Sequence, residues 1–110
     1  MTSQNIERKI AVIFATDVVG YSKHIETDES ATITNLRACE ILLKDIFKKY
    51  NARLFNTGGD SFFAEFKSAV TAVDCAVEFQ NAIKRRNSTS EAIIKLEFRI
   101  GINVGDVIKE

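Results

Sequence analysis

Two aspartates, Asp17 in FATDVVGYS and Asp60 in NTGGDSF, combine a reactive side chain with a setting that could use it. Asp17 follows the apolar run KIAVIFA and precedes a glycine-containing turn, VVGYSK. Asp60 follows two glycines and precedes the alternating run SFFAEF. Each carboxylate has two readings. Asp17 could cap a helical turn and Asp60 could close a tight hairpin, or both could ligate a hard cation. Oxygen donors with no histidine or cysteine close by suit Mg²⁺ or Mn²⁺. The amides of a glycine turn suit an anion beside that cation. Carboxylates and turn amides together describe a nucleoside-triphosphate site, where a cation activates an attacking oxygen and clamps phosphate. The choice rests on whether the fold brings Asp17 and Asp60 together.

Other chemistries are poorly supplied. His24 is the only histidine, which argues against a histidine metal cluster and a Ser-His-Asp triad. Cys39 and Cys75 lie on apolar helical stripes without a CxxC pattern and read as small buried thiols. Fifteen Lys+Arg balance fifteen Asp+Glu, so no global charge calls for nucleic acid or an anionic membrane. The longest apolar run, IAVIFA, is too short to span a bilayer. The polar start MTSQNIERK lacks the apolar region of a signal peptide, and cytoplasm is the expected compartment. A chain of 110 residues with 45% hydrophobic content is expected to form one domain, 1–110, around one core.

The elements that must position the aspartates follow from periodicity. KIAVIFA (9–15) is apolar on both faces, as a central strand would be, and Asp17 to Tyr21 breaks it. From about Thr27 to Tyr50, the residues Ile33, Leu36, Cys39, Leu43, Ile46, Phe47 and Tyr50 recur at helical spacing. ARLFN (52–56) and SFFAEF (61–66) read as strands joined through T-G-G-D in a hairpin. Ser68 is placed to cap a second helix, with Ala69, Ala72, Val73, Ala76, Val77 and Ile83 as its apolar stripe and an end near Arg86. KRRNSTSE (84–91) reads as a solvated loop. KLEFRIGINV (95–104) alternates, with Leu96, Phe98, Ile100 and Ile102 inward and Lys95, Glu97 and Arg99 outward. Gly105 and Asp106 read as a turn before a further strand.

The order β-α-β-β-α-β predicts an α+β, ferredoxin-like fold, its antiparallel sheet ordered 4-1-3-2 with both helices on one face. Strand 1 then ends at the sheet edge where the 2–3 hairpin has its tip, and strands 1 and 3 are neighbours. Asp17 and Asp60 should therefore sit side by side. Like charges so placed repel unless a cation stands between them, which favours the metal reading.

The segments FATDVVGYSKHIETDE (14–29), NTGGDSFFAEF (56–66) and FRIGINVGDVI (98–108) resemble, in order and spacing, the class III adenylate/guanylate cyclase catalytic domain. The resemblance covers almost the whole chain. It implies attack of a ribose 3′-oxygen on the α-phosphate of ATP or GTP, giving a 3′,5′-cyclic nucleotide and pyrophosphate with two Mg²⁺ or Mn²⁺ ions. It implies that Asp17, Asp60 and the carbonyl of Val18 ligate those ions. The amides of Val19, Gly20, Tyr21 and Ser22 would hold the triphosphate, and Arg99 its terminal phosphates. Asn56 stands where the family reads the base, with Lys for adenine or Glu for guanine; an amide serves either purine, so the choice stays open.

The resemblance also implies a homodimer, since family sites form between two catalytic domains. Independently, Phe63 should point away from Phe62 and Phe66, leaving apolar surface on the helix-free face. The family's later hairpin and helix, carrying an Asn and an Arg that stabilise the transition state, have no counterpart in 1–110. The chain thus reads as a truncated cyclase-like domain of weak or no activity by itself. A catalytically degenerate domain that binds nucleotide or only dimerises is the alternative. A diguanylate cyclase is another, because GGDSF resembles the GGDEF signature; Ser61 in place of Glu and the other two segments count against it.

Overall fold

A computed structural model describes residues 7–89, 91 and 94–109. Its elements are β1 (Glu7–Val18), α1 (Tyr21–Thr27), α2 (Glu29–Lys49), β2 (Arg53–Gly58), β3 (Ser61–Phe66), α3 (Ala69–Thr89) and β4 (Phe98–Lys109). The sheet order is β2-β3-β1-β4 and every neighbouring pair is antiparallel. Read from the other edge, that is the expected 4-1-3-2. Alternate residues of β1 and β3 explain why the helices share one face. Val12, Phe14, Val18, Phe62, Ala64 and Phe66 are buried, and α2 and α3 pack Leu36, Leu43, Phe47, Cys75 and Phe79 onto them. Phe14 meets Phe47 edge-on at 5.2 Å, an arrangement that adds to the stabilisation from burial alone.

Four local expectations are corrected. The break expected over Asp17 to Tyr21 is shorter than that, because β1 runs on to Val18 and an additional helix, α1, starts at Tyr21. The helix expected from about Thr27 is α2, capped by the Asp28 carboxylate, which accepts from the Ala31 amide at 3.0 Å. The additional helix α1 buries no residue, so no apolar period announces it. Helix α3 runs on to Thr89, through the first part of the expected loop. There Ser88 and Thr89 hydroxyls donate to the Arg85 carbonyl, and Arg86 donates to the Asn35 side chain of α2 at 3.2 Å. The buried face of α3 is Ala72, Cys75, Phe79 and Ile83, while Val73 and Val77 of the expected stripe are exposed. The large ring of Phe79 decides which side turns inward. Ser68 does cap α3, accepting from the Thr71 amide at 3.2 Å.

The fourth correction concerns β4. It passes straight through the expected Gly105–Asp106 turn, because β1 starts early enough to pair Ala11 with Gly105 and Ile10 with Asp106. A ladder partner outweighs local turn preference. At its start, β4 begins at Phe98, since β1 ends opposite it at Val18. Ile94 and Leu96 are still buried. The Leu96 and Phe98 carbonyls accept side-chain N–H groups of Asn87 and Gln80 on α3, at 2.9 and 2.8 Å. No helix among the described residues is long and apolar enough to cross a membrane.

Candidate functional site

The hairpin between β2 and β3 is tight. Gly58 pairs with Ser61, and Gly59 and Asp60 form the loop. Gly59 has φ 59°, a left-handed backbone that a side chain would strain. This bend aims Asp60 back at the sheet, where its Oδ2 accepts the Val18 N–H at 3.0 Å. Val18 is the residue after Asp17. The hairpin tip is thereby tied to the peptide that immediately follows the other aspartate.

Asp17 lies on the helix-free face of β1, directly across the ladder from Arg99 of β4. The guanidinium forms a two-bond fork on the carboxylate: Nε donates to Oδ1 and Nη2 to Oδ2, each at 3.0 Å. Asp17, with a smaller contribution from Asp60, holds Arg99 above its ordinary pKa. The fork is open to water, with side-chain exposures of 69% for Arg99 and 37% for Asp17. A cavity of about 330 Å³ beside it is lined by Ala15, Asp17, Ser61, Phe63, Arg99 and Gly101. Ala15 pairs with Gly101, and with so little side chain there the floor of the cavity stays open. Phe63 does point away from the buried Phe62 and Phe66.

Beyond β1, the Val19 amide donates to the Glu97 carbonyl at 2.8 Å, so it already has a partner. Gly20 then turns the chain with φ 63° into α1, and no side chain caps that start. Tyr21 and Ser22 open α1, where amides have no acceptor within the helix. Asn56 pairs with Phe63 in the ladder. Its side chain, on which the base-reading expectation depends, lies outside the described residues.

Two features escaped sequence reasoning. Thr16 is buried, and its hydroxyl donates to the Arg99 carbonyl at 2.7 Å, fixing the residue that carries the guanidinium. A threonine within an apolar strand carries no motif. The fork itself was also unforeseen: the resemblance sends Arg99 to phosphate, and only strand register shows that it faces Asp17.

Among the described residues, no cluster of three or more His, Cys, Asp or Glu could enclose a metal ion. The donor set is nonetheless hard oxygen, and the positive charge resting on it is a guanidinium. Such a pair fits a cation that takes its other ligands from water and phosphate, as Mg²⁺ usually does.

The sequence profile of the family described as "Adenylate and Guanylate cyclase catalytic domain" matches residues 2–110. A Rhizobium meliloti (strain 1021) protein named "Putative adenylate cyclase 3" is 37% identical over 111 residues; the match takes in 100% of this chain but 19% of that protein. The solved adenylate/guanylate cyclase/hydrolase from Silicibacter pomeroyi superposes with a TM-score of 0.83 at 31% identity, covering 96% of this chain and 62% of that one. A bacterial light-regulated adenylyl cyclase superposes at 0.86 with 19% identity, over 93% of this chain and 56% of that one, a likeness of fold. The chain thus spans less than two thirds of each of these relatives.

Proposed function

Because the chain belongs to the adenylate and guanylate cyclase catalytic domain family, we propose that Asp17, Asp60 and Arg99 form the metal- and triphosphate-binding half of a class III nucleotidyl cyclase site. The substrate is ATP or GTP. The observation that carries this reading is the Asp60–Val18 hydrogen bond, which seats the second carboxylate on the peptide next to the first. A hairpin closed for its own sake would not need that bond.

Asp17, Asp60 and the Val18 carbonyl would hold two Mg²⁺ or Mn²⁺ ions. In extended backbone that carbonyl leaves on the same side as the N–H that reaches Asp60. When bound, the ions lower the pKa of the ribose 3′-hydroxyl and neutralise the phosphates of the leaving group. The chain's own part is placement. Arg99 pairs with the terminal phosphates, and the amides of Gly20, Tyr21 and Ser22 line the turn beside them, with Val19 held in shape by Glu97. The reaction joins the 3′-oxygen to the α-phosphorus, breaks its bond to the bridging oxygen and releases pyrophosphate and the hydroxyl proton. Asn56 is the proposed base contact. The proposed assembly is a homodimer through the helix-free face, where Phe55 is 45% exposed and lies near Phe63 at 6.3 Å.

A binding-only domain is the second reading, favoured by the fork that engages Asp17. Calorimetric titration with Mn²⁺–ATP and Mn²⁺–GTP, followed by chromatography of the products, separates the two. Binding that weakens at least about tenfold in Asp17→Asn and Asp60→Asn, with a 3′,5′-cyclic mononucleotide formed, supports the cyclase. Aspartate-dependent binding without product, also when a cyclase domain supplying the other half of the site is added, supports the second reading. Absence of binding to both nucleotides, or a cyclic dinucleotide made from GTP, overturns the class III assignment.

A further inference from the structure

Resting on that reading, we infer that Arg99 is the resident counter-cation of Asp17 in the nucleotide-free domain, and that a polyphosphate must draw its guanidinium away before Asp17 ligates a divalent ion. Divalent-cation and polyphosphate binding are then coupled through one side chain.

The two carboxylates are held differently. Asp60 accepts from a backbone amide, a neutral donor, and has no hydrogen bond from Arg99, whose charge reaches it only as a minor coulombic attraction. Asp17 has both oxygens engaged by a full positive charge. A divalent ion approaching Asp17 therefore meets a cation bonded to both of its oxygens, whereas Asp60 feels the same guanidinium only as a weaker, unbonded charge.

The backbone cannot relieve this, because Arg99 is locked opposite Asp17 in the ladder and its carbonyl is bonded to Thr16. Movement is left to the side chain. That side chain is largely exposed and borders the cavity floored by Ala15 and Gly101, so it has room to turn. Exposed ion pairs exchange partners at little cost, and a polyphosphate offers the same fork more charge than one carboxylate does. Once the guanidinium is on phosphate, Asp17 and Asp60 present two uncompensated charges to the incoming ion. By reciprocity the ion strengthens polyphosphate binding by the same factor.

The test measures Mn²⁺ affinity of the nucleotide-free chain by electron paramagnetic resonance. Arg99→Met should tighten Mn²⁺ binding by at least about fivefold. The gain should vanish in the double variant Arg99→Met/Asp17→Asn. A gain that persists there reflects net charge alone and overturns the inference. Equal affinity of the native chain and Arg99→Met, with binding still lost in Asp60→Asn, overturns it too but leaves the metal site standing. No Mn²⁺ binding by any of these chains overturns both. A metal-free arm uses inorganic tripolyphosphate with chelator present: the Arg99 Nε–H resonance in the native chain should move as the anion is added. Tripolyphosphate that binds without moving it also refutes the exchange.

Discussion

At the scale of single residues, Asp60 has two roles that substitution separates. Asp60→Asn keeps an oxygen to accept the Val18 N–H and removes the charge. Its stability should stay within about 0.5 kcal/mol of native in urea unfolding, while Mn²⁺–nucleotide affinity falls. Asp60→Ala also removes the acceptor and should cost about 1 kcal/mol more. Equal stability of the two variants would show that the bond does not hold the hairpin tip. The cysteines give a second residue-scale expectation. Burial pushes the Cys75 thiol up to about 12 and raises Cys39 as well. Because the thiolate is the reactive form, both should resist alkylation at pH 8 in the native chain and react on unfolding. Fast labelling without denaturant would contradict their burial.

At the scale of elements, α3 shows why a sequence stripe and a buried face can differ. Valines at 73 and 77 keep helical spacing with Ala69, Ala72 and Ala76, and so read as one apolar face. Phe79 reaches further, meeting Phe98 at 5.1 Å, and turns the helix about its own position. Phe79→Ala should therefore cost about 3–5 kcal/mol. Val73→Ala, at a position 49% exposed, should cost less than about 0.5 kcal/mol. Urea midpoints of the two variants check this, and comparable losses would restore the face expected from sequence. The β2–β3 hairpin was legible because its signal is local: two glycines, then an alternating run. The end of α3 was not, because Lys84–Thr89 is polar and its helix is held by Asn35 on another element.

At the scale of the whole molecule, two glutamates hold elements together. Glu65 on β3 accepts from Lys9 of β1 and Arg53 of β2, both at 2.7 Å. Glu78 on α3 accepts from Lys49 at the end of α2 and from the Tyr50 hydroxyl beyond it, both at 2.8 Å. Lys9 first and then Arg53 hold Glu65 below the ordinary 4.5, and Lys49 and Tyr50 do the same for Glu78. A depressed folded-state pKa contributes stability above the unfolded value, and that stability is lost as pH falls through the folded one. Urea midpoints should thus drop below about pH 4.5, and the drop should shrink in Glu65→Gln/Glu78→Gln. An unchanged acid limb in that variant would place acid sensitivity elsewhere. The proposed homodimer belongs to this scale as well. Sedimentation equilibrium should show native dimers and monomeric Phe63→Glu, and a monomeric native chain would remove the helix-free face as the contact.

The sequence by itself determined the α+β class, the strand order and the placing of the Asp60 hairpin tip beside the end of β1. Strand alternation, two helical stripes and the handedness of crossovers leave few ways to fold a chain of this pattern. Three motif segments were enough to name a family, because each keeps its residues close together. Tertiary structure alone decided that Arg99 grips Asp17, that Val19 is committed to Glu97 and that Thr16 fixes Arg99. Those contacts join residues distant in the chain, and their register depends on where every strand starts and stops. A shift of one residue would send Arg99 to the opposite face.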